Sequence, residues 1–207
     1  MTAPRDLLLA CRCGATTGTL EATSPSSGSH AVCYCKDCQA FARLLGKPEI
    51  LDGQGGTSLF QTSAGKVRLN GDHLACMRLT DKGPLRWYAS CCDTPLSITA
   101  PTPALPFLSL LTNTLSTSDG SNVEDTVGPV LGVVNTDSAL ADAQGEKPKA
   151  YGLWRLIPRM AWTMTKARLR GDHNRSPFFD RQNGKPVAKP NRISAERRKA
   201  AHMPDGE

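Results

Sequence analysis

No apolar run in this chain of 207 residues approaches the roughly 20 residues that a membrane-spanning helix requires. The apolar stretch 105–111 is short and is broken by Pro106. The amino terminus has no secretory pattern, because Asp6 falls among only four or five apolar residues before Cys11. These absences point to a cytoplasmic protein. Gly53, Gly55 and Gly56 make a glycine-rich turn that lacks the Gly-Lys-Ser/Thr ending and helix of a phosphate loop, so no phosphate role is assigned to it. The four histidines, His30, His73, His173 and His202, include no pair at ligand spacing. No internal repeat is present, and no cysteine lies beyond residue 92.

Charge is unevenly spread. Residues 1–150 carry 12 Lys and Arg against 14 Asp and Glu, a net of −2, while residues 151–207 carry 13 against 5, a net of +8. The overall +6 therefore describes a basic C-terminal segment and not the body. Such a segment can mean nucleic acid, a membrane surface or simply solubility.

The expected fold is mainly β: a small zinc-bearing β-sheet domain over residues 1–150, followed by a basic helix and a poorly structured tail over 151–207. Residues 66–69 and 74–80 alternate like strands, and Asn70-Gly71 between them is a hairpin signal. Residues 85–89 form a third strand candidate, and 127–134 a fourth. A short helix starts just after Cys35 and stops at Gly46. Residues 112–125 read as loop and 141–149 as polar linker. Residues 152–169 read as a helix with Leu153, Ile157, Met160, Ala161 and Met164 on one face, which is expected to pack on the body. Arg155, Arg159, Lys166, Arg170 and Trp162 share the other face. Beyond Gly171 the chain is polar and proline-rich, with Phe178 and Phe179 as expected anchors.

The eight cysteines carry the chemistry. Tight C-x-C and C-x-x-C spacings in a long chain without a leader favour metal over disulfides. Cys33-Tyr34-Cys35-Lys36-Asp37-Cys38 places three thiols within six residues. Alternate cysteines turn toward one point and the C-x-x-C wraps the third sulfur onto it, which suits zinc and leaves a fourth position open. Water or a substrate thiol could bind there with a lowered pKa. His30 lies three residues before Cys33 and could reach the open position, the plainer reading being a turn or surface histidine, and Asp37 lies inside the motif as an orienting group, a base or a solvated helix carboxylate. Cys11-Arg12-Cys13-Gly14 could meet Cys91 and Cys92 in a closed structural zinc site. Adjacent residues tend to point apart, so one of Cys91 and Cys92 can serve here while the other completes the Cys33 site or stays free. Cys76 reads as a small core residue.

These residues resemble a known family. Cys11-x-Cys13-Gly14, then Cys33-x-Cys35-x-x-Cys38-Gln39, then Cys92-Asp93-Thr94-Pro95-Leu96 resembles the glutathione-dependent formaldehyde-activating enzymes, which include centromere protein V. The resemblance covers about residues 6–98. It implies a mainly-β fold around two zinc ions, one structural on Cys11, Cys13 and the Cys91/Cys92 region, one catalytic on Cys33, Cys35 and Cys38. It also implies condensation of formaldehyde with glutathione, a carbon–sulfur lyase reaction in reverse. The family's third cluster is usually C-x-x-C-Gly-Thr-Pro; here Ala89 stands at the first cysteine and Asp93 at the glycine. Three thiolates on zinc leave a formal −1, which favours delivering a thiol over polarising a carbonyl. Lys36 or Arg43 could meet a glutathione carboxylate. The competing expectation is a non-catalytic zinc module whose basic tail contacts something acidic. Nucleic acid fits that tail less well, since only Phe178 and Phe179 offer aromatic stacking.

Overall fold

The computed structural model describes residues 3–202. Its elements in chain order are β1 (Arg5–Ala10), β2 (Thr17–Thr23), β3 (Ser29–Cys33), α1 (Lys36–Leu44), β4 (Thr57–Ser63), β5 (Val67–Asn70), β6 (Leu74–Arg78), β7 (Leu85–Ala89), β8 (Thr94–Thr99), β9 (Phe107–Leu111), β10 (Leu115–Ser116), α2 (Val123–Val127), β11 (Gly132–Val134), α3 (Leu153–Leu169), β12 (Asn191–Arg192) and α4 (Ala195–Ala201). The protein is mainly β with helices toward the C-terminus, as its sequence implies. A four-stranded sheet has the order β10-β1-β2-β5, and an eight-stranded sheet the order β11-β3-β4-β9-β8-β7-β6-β12.

Alternation in the strands divides the side chains between two cores. Leu7, Leu9 and Leu20 of the small sheet meet Phe60, Leu85, Trp87, Leu108 and Leu110 of the large one. The opposite face of the large sheet carries Leu59, Met77, Ile98 and Leu111, which pack with Cys38 and Phe41 of α1. With both faces covered, β8 is buried at all six positions.

Asn70-Gly71 does not close a hairpin. β5 pairs with β2, while β6 pairs with β7, so the turn passes the chain from one sheet to the other. Gly71 does take the positive φ, +101°, but Asn70 does not. The segment 127–134 is a strand only over β11, because Asn122 caps α2 across residues 123–127 through its side chain to the Glu124 N–H at 3.0 Å. The expected loop 112–125 holds β10 and most of α2.

α3 forms as its periodicity implies but presents a different face. It buries Leu156, Met164 and Ala167, and leaves Leu153 and Ile157 exposed. The segment after Gly171 has little regular structure yet runs over the body. Phe178 and Phe179 enter the main core against Trp87, with ring centroids 5.1 and 6.2 Å away. β12 then adds to the edge of the large sheet beside β6. No helix among the described residues is long and apolar enough to cross a membrane.

Candidate metal centres

Two cysteine clusters arise where the strands end. Cys11 and Cys13 follow β1, and Cys91 and Cys92 occupy the turn from β7 to β8. The first turn is a knuckle: the Cys11 N–H donates to Thr16 O at 2.9 Å, and the Gly14 N–H to Cys11 O at 3.0 Å. Gly14 has φ +78°, a conformation that side chains resist. The second turn needs the same at Asp93, with φ +53°. Asp tolerates this left-handed backbone better than most residues. The Arg12 N–H donates to Thr94 Oγ1 at 3.0 Å and ties the two turns together.

All four sulfurs converge. The Sγ atoms of Cys11, Cys13, Cys91 and Cys92 lie within 4.8 Å of one another. Cys11 stands 3.6 Å from Cys13 and 3.7 Å from Cys91, Cys13 stands 3.3 Å from Cys91, and Cys91 stands 3.8 Å from Cys92. A tetrahedron with metal–sulfur bonds of about 2.3 Å has edges of about 3.8 Å. The donor set therefore fits a tetrathiolate metal ion, and both vicinal cysteines belong to it.

The second cluster is Cys33, Cys35 and Cys38, again within 4.8 Å of one another. Cys33 ends β3, and Cys35 is the N-cap of α1, its sulfur accepting from the Cys38 N–H at 3.4 Å. A helix N-terminus favours a thiolate, since unpaired N–H groups and the helix dipole face it. Asn135 Nδ2 donates to Cys33 Sγ at 3.2 Å. Hydrogen bonds from the Cys35 and Cys38 thiols, joined by that of Asn135, hold Cys33 far below the usual thiol range. Hydrogen bonding to Cys33 in turn raises Cys35 and Cys38, and burial and the Cys33 charge add to the rise. Gln39 secures the loop, donating to Tyr34 O at 2.9 Å and Ser138 O at 2.8 Å.

The remaining candidates sit elsewhere or act differently. His30 is buried, its ring spanning Gly128 O at 2.8 Å and Ser58 Oγ at 2.9 Å, outside the cluster. Asp37 is neither solvated nor free: Oδ1 accepts from Arg198 at 2.8 Å and lies 3.2 Å from His202 Nε2. Arg43 donates to Ala201 O at 3.2 Å, so α4 is clamped to α1 at the C-x-x-C turn. Cys76 is a core residue whose thiol burial pushes up to about 12. All eight cysteines are free of disulfides.

Three residues had no motif to mark them. Asn135 lies 102 positions from the Cys33 that it bonds. Arg86 is buried, with Nε donating to Asp37 O at 3.4 Å and Nη1 lacking a partner. Thr57, opposite Cys33 on β4, also has a buried hydroxyl without a partner. The one available signal was Arg86 itself, a charge inside the apolar run Leu85-Arg86-Trp87-Tyr88.

These features define a mainly-β protein with one four-cysteine and one three-cysteine centre, each able to hold a metal ion. The chain belongs to a family of unknown function, DUF6151, whose model matches residues 4–191. That match takes in both clusters together with α3 and the Phe178/Phe179 anchor. Comparison with curated proteins finds no match.

Proposed function

We propose that the protein is a two-zinc, carbon–sulfur lyase-like enzyme that joins a glutathione-type thiol to an aldehyde or splits the adduct. Zinc is the ion that four thiolates at tetrahedral spacing suit best. Cys11, Cys13, Cys91 and Cys92 would hold a closed structural ion, and Cys33, Cys35 and Cys38 an open one. The observation that carries the reading is the second cluster: three sulfurs converge there and no fourth thiol joins them. At that position zinc would acidify a bound thiol, so that it is available as thiolate near neutral pH.

In the reaction the thiol sulfur adds to the aldehyde carbon and the carbonyl oxygen takes up a proton; the reverse breaks the same carbon–sulfur bond. The chain's own residues prepare the site. Asn135 stabilises thiolate at Cys33, and the Cys38 N–H at the α1 N-terminus donates to the Cys35 sulfur. Arg86 donates to the Asp37 carbonyl and so holds a buried guanidinium against the C-x-x-C turn. A reducing, cytoplasmic setting keeps the eight thiols available.

The alternative, a non-catalytic zinc module that contacts an acidic partner, draws on the basic character of residues 151–207. Zinc per chain separates the two, measured on the wild type and Cys35→Ser with and without glutathione. Two ions falling to one in the variant, with a glutathione-dependent spectral change in the wild type, support the enzyme. One ion in both proteins, indifferent to glutathione, removes the open centre and the lyase with it.

A further inference from the structure

α3 rests on the body by a narrow face. Leu156, Met164 and Ala167 are buried beneath it. Arg159 turns inward as well, donating from Nε to Gly28 O at 2.8 Å and from Nη2 to Pro25 O. The outer side is apolar: Trp154 is 72% exposed, Trp162 61% and Leu169 82%, with Leu153 and Ile157 also bare. Trp154, Pro158, Trp162, Thr165 and Leu169 follow helical spacing, so the exposed groups form one stripe along the helix.

The charges along the helix that carries the stripe are all positive, and the buried Asp172 just beyond it is paired with Arg170 and Arg175. Residues 147–171 contain seven Lys and Arg and no Asp or Glu. The Arg155 guanidinium lies 4.6 Å from the Trp154 ring centre, and the Lys166 ammonium 4.7 Å from that of Trp162. Beside Trp162, a cavity of about 150 Å³ is lined by Lys66, Lys166 and Arg170 together with the hydroxyls of Ser26, Ser27 and Thr62. Arg170 also reaches the buried Asp172 at 3.4 Å. On the other flank, Leu105 joins Met164 and Leu169 around an apolar hollow of about 420 Å³.

We propose that α3 docks on the surface of an anionic phospholipid bilayer. Trp154, Trp162 and Leu169 enter the boundary between headgroups and acyl chains, and Lys66, Lys166 and Arg170 take a lipid phosphate. Tryptophan, leucine and cations on one helix face are the composition that lies in that boundary. Charge selects this occupant. A second copy of the chain would oppose cations with cations, and no acidic residue of the segment relieves them. Nucleic acid would leave Leu153, Ile157 and Leu169 without a partner, whereas lipid satisfies the charges and the apolar stripe together.

The test uses the full chain with vesicles of phosphatidylcholine alone, or mixed with phosphatidylserine. Trp87 is fully buried, so a change in tryptophan emission on binding reports Trp154 and Trp162. Sedimentation with the mixed vesicles, blue-shifted emission and quenching by brominated acyl chains are expected, with little binding to phosphatidylcholine alone. Trp154→Ala with Trp162→Ala, and separately Lys166→Glu with Arg168→Glu, should each weaken binding at least about tenfold while the melting temperature stays near that of the wild type. The quenching of the unaltered chain decides the matter by itself if a variant fails to fold. Failure to bind the mixed vesicles overturns the proposal, as does binding without acyl-chain quenching that an oligonucleotide displaces. A Trp162-dependent dimer in solution would assign the face to a second copy and overturn it equally.

Discussion

Cys91 and Cys92 are neighbours in the chain, and in extended backbone their side chains would leave on opposite sides. They reach one centre because both lie in the tight turn after β7, where the Cys92 N–H donates to Ala89 O at 3.4 Å, and not in extended strand. Each is thus expected to be required: Cys91→Ser and Cys92→Ser should both lower bound zinc from two ions to one, and both should lower the melting temperature. If either variant keeps two ions, that cysteine is no ligand. Cys76→Ala is the control, losing no metal and about 1 kcal/mol of stability. Asp172 gives the acid response. Burial pushes its carboxyl up, but hydrogen bonds from Ser63 and Arg175 and the nearby Arg170 charge outweigh this and hold it below the usual range. A carboxyl lowered by folding contributes stability that is present above its unfolded value, about 3.9, and lost as pH falls through the folded value. Asp172→Asn should therefore melt lower than the wild type at pH 7, with the gap closing in acid. An equal gap at pH 7 and pH 3 would show that the charge contributes nothing.

At the scale of elements, α1 was readable because its signals are local. Cys35 caps it, Asp37 sits in its first turn, Arg43 in its last, and Gly46 ends it at φ +62°. Nothing local announced that α4 would be held against it by Arg198 and His202 on Asp37. This clamp covers the cysteine turn. Arg198→Ala should release it, and the metal-free protein should then react faster with an alkylating reagent at Cys35; an unchanged rate would mean that α4 does not limit access. The helical period of α3 was equally legible, but periodicity cannot say which of two mixed faces meets the body. Arg159 decides it by donating to Pro25 and Gly28 carbonyls, and this turns Leu153 and Ile157 outward. Asn70-Gly71 failed as a hairpin signal for a related reason. The dipeptide encodes a turn, while the pairing of the strands on either side is settled by which partners lie nearby.

Across the whole molecule the C-terminal segment completes the core. Phe178→Ala is expected to cost about 3–5 kcal/mol, because a fully buried ring against Trp87 leaves a cavity. A chemical denaturation curve checks this, and a loss below about 1 kcal/mol would mean that the tail is dispensable. Removing residues 171–207 should accordingly disturb the fold and not merely detach a binding tail. The four-cysteine centre joins the end of β1 to the β7–β8 turn, and so links the small sheet to the large one. Stability should then track free zinc. Each tenfold rise above the dissociation constant adds about 1.4 kcal/mol, or roughly 3–6 °C in melting temperature for a chain of this size. A melting temperature insensitive to chelation would exclude a structural ion there.

The sequence by itself determined the β class, the helix after Cys35, the two groups of cysteines and the uneven charge, because each of these rests on residues close together in the chain. Only the tertiary structure decided that Cys91 and Cys92 share a centre with Cys11 and Cys13 across 78 to 81 positions of chain. It alone placed Asn135 on Cys33, Arg86 beneath Asp37, and Phe178 against Trp87. Such contacts depend on how two sheets stack, and stacking is set by the sum of many weak burials rather than by any one motif.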